Sequence, residues 1–78
     1  MLNQPLIEAF GDRIRQLRTE RNLSQEQLAE LTGFHRTYIG MIERGERNLS
    51  LSNVSVFAKV FRISISDLVD FKNERGGR

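Results

Sequence analysis

The stretch from Ser24 to Gly45 limits what this chain can fold into more than any other part of it. Ser24 followed by Gln27 is a capping box: each side chain can satisfy an orphan backbone N–H at the other residue, which fixes where a helix starts. Ala29 is the small residue that a close helix crossing needs. Gly33, four positions later, supplies a turn with positive φ that a residue with a Cβ would resist. Ile39 and Ile42 then recur at helical spacing and, with Leu28 and Leu31, are expected to seal a second helix onto the first. Each signal is weak alone, but together they specify two short helices folded against each other at a glycine, with a polar, arginine-bearing face left over.

The flanking sequence supplies three more helices. Leu6, Ile7, Phe10, Ile14 and Leu17 repeat at steps of three and four, which predicts a first helix from about Pro5 to Arg21, with Pro5 tolerated in its first turn. Arg13, Arg15, Arg18 and Arg21 lie off that stripe and read as a solvated face, with Glu8 and Asp12 placed to pair along it and one arginine able to reach a phosphate. Asn22-Leu23 breaks the pattern. Helix two is expected over Gln25 to about Leu31 and helix three over about Arg36 to Arg44, stopped by Gly45. Ser50 is a candidate N-cap for a fourth helix marked by Leu51, Val54, Phe57, Ala58 and Phe61. Ser64 caps a fifth, in which Ile65, Leu68 and Val69 supply the apolar side, Asp67 complements the N-terminal dipole, and the end falls near Phe71. Ile63 is expected to pack the corner between them. Residues 72–78 have no apolar periodicity and two adjacent glycines, which predicts a frayed tail. No strand is expected, because Ile63-Ser64-Ile65-Ser66 alternates over too few residues.

At 78 residues the chain is read as one all-α domain, 1–78, ordered over about 5–71, with a small core. It has no cysteine, so neither a disulfide framework nor a cysteine-based metal site is available, and the composition suits a reducing compartment. With no apolar run near the roughly 20 residues a membrane span needs, and no signal-peptide order at Met1-Leu2-Asn3-Gln4-Pro5, the expected location is the cytoplasm. A catalytic role finds no support. There is a single histidine, no glycine-rich phosphate loop, and little room for a pocket, so no enzyme activity, metal or other cofactor is expected.

The net charge is only +2, so an argument for a nucleic-acid partner has to come from position. Residues 1–32 hold four arginines against five acids. Residues 33–62 hold Arg36, Arg44, Arg47, Lys59 and Arg62 against Glu43 and Glu46, and the remainder is neutral. The positive excess therefore sits on and just after the second helix of the pair. That makes the arrangement a helix-turn-helix suited to double-stranded DNA, with the exposed residues of helix three as candidate readers.

Arg36 is the only long donor among them and can give two hydrogen bonds to guanine. Thr37 offers a hydroxyl and a methyl. Tyr38 can bond a phosphate, lay its ring against a base step, or cover the edge of the core. Met41 can touch a thymine methyl or be a plain exposed apolar residue, and Gly40 is expected to allow close approach to the groove wall. His35 is a candidate N-cap or phosphate contact, and Gln25, first in helix two, points toward a phosphate. Arg44, Arg47 and Asn48 suit backbone contacts, or internal pairing of the arginines with Glu43 or Glu46. Glu26 is placed to pair with Arg36 when DNA is absent.

The segment His35-Arg36-Thr37-Tyr38-Ile39, followed by Ile42-Glu43-Arg44-Gly45-Glu46-Arg47-Asn48-Leu49-Ser50, resembles the phage-repressor-like (Xre-type) helix-turn-helix family over residues 5 to 71. More narrowly it resembles the controller proteins of restriction–modification systems. The resemblance implies a compact five-helix, lambda-repressor-like domain with the motif at helices two and three. It implies a homodimer on palindromic operators that regulates its own and the endonuclease gene, activating at one occupancy and repressing at a higher one, with RNA polymerase as a further contact. It assigns Arg36, Thr37 and Tyr38 to operator reading, Gln25 and Asn48 to backbone contacts, and the helix-five surface to the dimer. A phage or plasmid repressor shares the same DNA chemistry. An antitoxin-like protein-binding regulator on the same fold would favour apolar anchors on helix three instead of polar readers.

A single module reading about four base pairs cannot pick out one genomic site, so a dimer is also expected on physical grounds, with half-sites roughly 34–36 Å apart. The apolar surplus places it. Val56 and Val60 lie to one side of the core stripe of helix four, and Ile65, Val69 and Phe71 follow in a short span with little chain left to cover them. Leu68 is expected to point inward, with Val69 or Phe71 crossing the two-fold axis.

Overall fold

The computed structural model describes residues 3–71, all of whose regular structure is helical: α1 (Gln4–Glu20), α2 (Gln25–Thr32), α3 (Arg36–Glu43), α4 (Leu51–Phe61) and α5 (Ile65–Leu68). The expected tail at 72–78 lies outside the described residues. The helices start where short polar side chains can take an orphan N–H. Asn3 accepts from Leu6 N, Ser24 from Gln27 N within a complete capping box, His35 from Thr37 N, Ser50 from Asn53 N and Ser64 from Asp67 N. Gly33 ends α2 at φ 83°, with open space where a Cβ would be, so its requirement is conformational and not steric.

The core is one cluster built from every helix: Phe10, Ile14 and Leu17 of α1, Leu28 and Ala29 of α2, Ile39 and Ile42 of α3, Phe57, Ala58 and Phe61 of α4, and Leu68 of α5, with Ile7 of α1 also buried. Helix α1 packs chiefly on α3, α2 on α3 and α4, and α5 on α4. The tightest crossing is at Gly11, where a Cβ would collide with the carbonyl oxygen of Ile42 and stand 3.0 Å from that of Glu43. A glycine in mid-helix usually weakens the helix, and here it is what lets α1 lie directly on the end of α3.

Several expectations need correction. Leu6, Leu31 and Leu51 fit apolar stripes yet are exposed. The inner side of α2 is filled by Leu28 and Ala29, with Thr32 turned back to donate to both of their carbonyls. Helix α5 ends at Leu68, not near Phe71. The arginines of α1 and its C-cap Arg21 are not a uniformly solvated face. Arg13 donates to the carbonyls of Asp67 and Leu68, and Arg21 donates to those of Leu17 and Phe61 while lying over the Phe61 ring at 5.0 Å. Arg18 enters a buried ion pair. Off-stripe arginines reach this far because their alkyl stems lie along apolar surface while the guanidinium finds oxygen.

Candidate nucleic-acid interface

The candidate face is built at both ends of α3. At its C-terminal end Glu43, a buried acid, receives Arg18 Nε at 2.6 Å on one oxygen and Arg18 Nη2 at 3.0 Å on the other. Arg18 Nη1 donates to the Leu23 carbonyl at 2.8 Å, and Gln25 Nε2 donates to Glu43 Oε1 at 3.2 Å. A buried carboxylate is tolerable only when paired and hydrogen-bonded on all sides, and these contacts do that. They also join the end of α1, the α1–α2 connection, the start of α2 and the end of α3. Local spacing does not reveal this hub, because Arg18 and Glu43 lie 25 residues apart and each reads locally as a surface charge.

At the N-terminal end of α3 the side chains stay open. Arg36 and Thr37 are exposed. Arg36 Nε stands 3.8 Å from Glu26 Oε2, the pairing expected in the absence of DNA. Beside them Arg18, Ser24, Gln25, Glu26 and Arg36 line a polar depression of about 300 Å³. His35 caps the helix through Nδ1, which accepts from Thr37 N at 3.1 Å. In the neutral ring this leaves the proton on Nε2, toward solvent. Met41 is half-buried.

Tyr38 is placed differently from its neighbours. Its ring meets Phe34 edge-on at 5.2 Å, its hydroxyl accepts from Asn53 Nδ2 at 3.0 Å, and the Arg47 guanidinium lies over it at 5.4 Å. Arg44 pairs with Glu46 at 3.0 Å, the internal alternative weighed for it, and Asn48 is exposed. Gly40 is buried beside polar side chains. A Cβ there would stand 3.1 Å from Arg44 Nη1 and 3.7 Å from Gln25 Oε1. The glycine makes room for the protein's own polar side chains. No signal in the sequence singled out Phe34, which links Tyr38 to Phe57 in the core, or Asn53.

The residues expected at a dimer contact fall in two groups. Ile65 and Val69 are exposed, while Val56 is half-buried and Val60 and Phe71 are half-buried against the core. Leu68 points inward, as expected. Val69 and Phe71, with Leu6, Ile7, Phe10, Leu49 and Val54, also line an apolar groove of about 520 Å³ that Arg47 and Asn48 border. Among the described residues no cluster of His, Cys, Asp or Glu could hold a metal ion, and no helix is long and apolar enough to cross a membrane.

Comparison with known proteins agrees with this architecture. The family model described as Helix-turn-helix matches residues 14–68, which spans all of α2 to α5. Control protein C.SmaI of Serratia marcescens is 47% identical over 72 residues, covering 88% of this chain and 86% of that protein. Control protein C.BamHI of Bacillus amyloliquefaciens is 48% identical over 63 residues, covering 80% and 78%. The crystal structure of the restriction-modification controller protein C.AhdI from Aeromonas hydrophila superposes with a TM-score of 0.76 at 47% identity, covering 80% of this chain and 94% of that one. The chain belongs to the Xre-type helix-turn-helix family of DNA-binding transcriptional regulators, in which it is similar to the controller proteins of restriction–modification systems.

Proposed function

We propose that this protein is a restriction–modification controller that binds a palindromic operator as a homodimer and regulates its own gene and that of the endonuclease, acting in the cytoplasm on double-stranded DNA without cofactor or catalytic activity. The observation that carries the reading is the division of α3. Its last residue is locked by a buried ion pair, whereas its first turn offers Arg36 and Thr37 unencumbered except for one long contact to Glu26. A helix held at one end with open polar side chains at the other, one of them a long donor, is what a major groove accepts.

In this reading Arg36 forms the guanine contact, Thr37 and Met41 touch base edges or methyls, and Gln25, His35, Arg44, Arg47 and Asn48 hold the phosphates on either side. Tyr38, anchored to Phe34 and Asn53, moves from base reading to the groove wall. Val56, Val60, Ile65, Val69 and Phe71 form the two-fold contact that sets the half-sites one helical turn apart, roughly 34–36 Å. Graded occupancy of the operator, with RNA polymerase as neighbour, then gives activation at low and repression at high protein concentration.

The test is a gel-shift titration against the DNA upstream of the protein's own gene, with a scrambled duplex of equal length as control. The expected result is a discrete complex of two chains per palindrome, tighter than the scrambled duplex by at least about 10³ at moderate salt. Equal affinity for the two duplexes overturns the proposal.

A further inference from the structure

In the first turn of α3 the fold holds Tyr38 by three separate polar and ring contacts, and the chemistry of those contacts is directional. A phenol hydroxyl has one proton and two lone pairs. Asn53 Nδ2 donates to one of the lone pairs at 3.0 Å, so the proton is left for an acceptor on the open side of the ring. The ring itself cannot swing freely. It stands edge-on to Phe34, which packs at 5.4 Å on Phe57 at the centre of the core. Asn53 is fixed in turn, because its backbone N–H is held by Ser50 Oγ at 3.1 Å in the first turn of α4. The Arg47 guanidinium lies over the face of the ring. A fixed O–H beside a guanidinium suits an anionic oxygen, and on duplex DNA that oxygen belongs to a phosphate.

We infer that Asn53 is a positioning residue for DNA binding: by occupying a lone pair of the Tyr38 hydroxyl it turns the hydroxyl proton outward to a backbone phosphate that Arg47 neutralises. Asn53 acts through Tyr38, so it makes a residue of α4 part of the interface of α3. The inference rests on the DNA-binding reading above, and it names a contact that is blind to base sequence.

The experiment is a thermodynamic cycle of wild type, Asn53→Ala, Tyr38→Phe and the double variant, titrated on the operator duplex and on a scrambled duplex, with thermal midpoints measured alongside. Loss of one hydrogen bond to a charged acceptor predicts that Tyr38→Phe weakens binding about tenfold, and by the same factor on both duplexes. Asn53→Ala is expected to weaken binding about threefold when Tyr38 is present and to have almost no effect in the Tyr38→Phe background. Asn53→Asp sharpens the test. Its carboxylate accepts only and would draw the hydroxyl proton inward, so it should lose more than Asn53→Ala with Tyr38 present, and the gap should narrow in the Tyr38→Phe background.

Equal losses from Asn53→Ala in both backgrounds overturn the inference. So does a Tyr38→Phe loss confined to the operator, which would place the hydroxyl on a base edge. If wild type fails to distinguish operator from scrambled DNA, the operator reading falls instead, and the cycle on scrambled duplex still measures the coupling of Asn53 to Tyr38.

Discussion

Among the described residues two ion pairs reach α3, one at each end, and they have little in common beyond their charges. Arg18–Glu43 is bidentate, at 2.6 and 3.0 Å, with side chains only 13% and 4% exposed. Arg36–Glu26 is a single contact at 3.8 Å between side chains 60% and 77% exposed. The first sits where water is excluded, so each charge depends on the other and on Gln25 and the Leu23 carbonyl for solvation. The second sits in solvent, where such a pair is worth about 0–1 kcal/mol and exchanges readily for another partner. One helix thus carries a structural bolt at its last residue and a releasable tether at its first.

The largest effect expected from this contrast is on stability. Glu43→Ala leaves the Arg18 guanidinium largely buried without its anion, and breaking such a pair typically costs about 3–5 kcal/mol. A domain of this length is stable by only about 4–12 kcal/mol. Urea denaturation should therefore show a large drop in the midpoint, and a loss below about 1 kcal/mol would erase the distinction between the two pairs. Gly11→Ala probes the same seam by sterics alone. Its Cβ meets the backbone carbonyls of Ile42 and Glu43, which cannot rotate aside, so α1 must lift from α3 at a cost of about 1–3 kcal/mol.

At the open end the effect moves from stability to recognition. Arg36→Ala is expected to leave the urea midpoint nearly unchanged and to cost about 1–3 kcal/mol on the operator, with a much smaller loss on scrambled DNA. Arg47→Ala should weaken both duplexes alike and lower the salt slope by about one. Equal losses from Arg36→Ala on the two duplexes would remove Arg36 from base reading.

The same contrast explains what the sequence could and could not disclose. Ser24 with Gln27, Gly33, His35, Ser50 and Ser64 act on atoms within a few residues of themselves, so their roles are written in local spacing, and every one caps or ends a helix as expected. The core stripe of α1 was equally legible from Ile7 to Leu17, though not at Leu6. Arg18–Glu43, Arg13 on the α5 carbonyls, Tyr38–Asn53 and the contact of Gly11 with Ile42 all join residues 15 or more apart. Long polar side chains carry no periodicity that names their partner. Leu31 and Leu51 show the converse limit: spacing says which residues share a face, and only the packed neighbours decide whether that face is covered.

The smallest effect is the one that decides what the tether does. Glu26→Ala removes an exposed partner of Arg36 and adds no cavity, so the urea midpoint should move by less than about 0.5 kcal/mol. Near a duplex the Glu26 carboxylate has two consequences. It repels phosphates, which weakens binding to any sequence, and it competes for the Arg36 guanidinium. On random sequence Arg36 exchanges the Glu26 carboxylate for a phosphate, another anion that its fork can grip, whereas on the operator it also gains the O6 and N7 acceptors of guanine. Competition therefore penalises random sequence more than operator. Glu26→Ala is expected to raise affinity for both duplexes but more for the scrambled one, narrowing the ratio about two- to fivefold, within the range of a surface pair. Glu26→Gln should behave likewise, since it keeps the shape and removes the charge. If both affinities rise by one common factor, Glu26 is only a negative charge near DNA, and the open end of α3 has no tether.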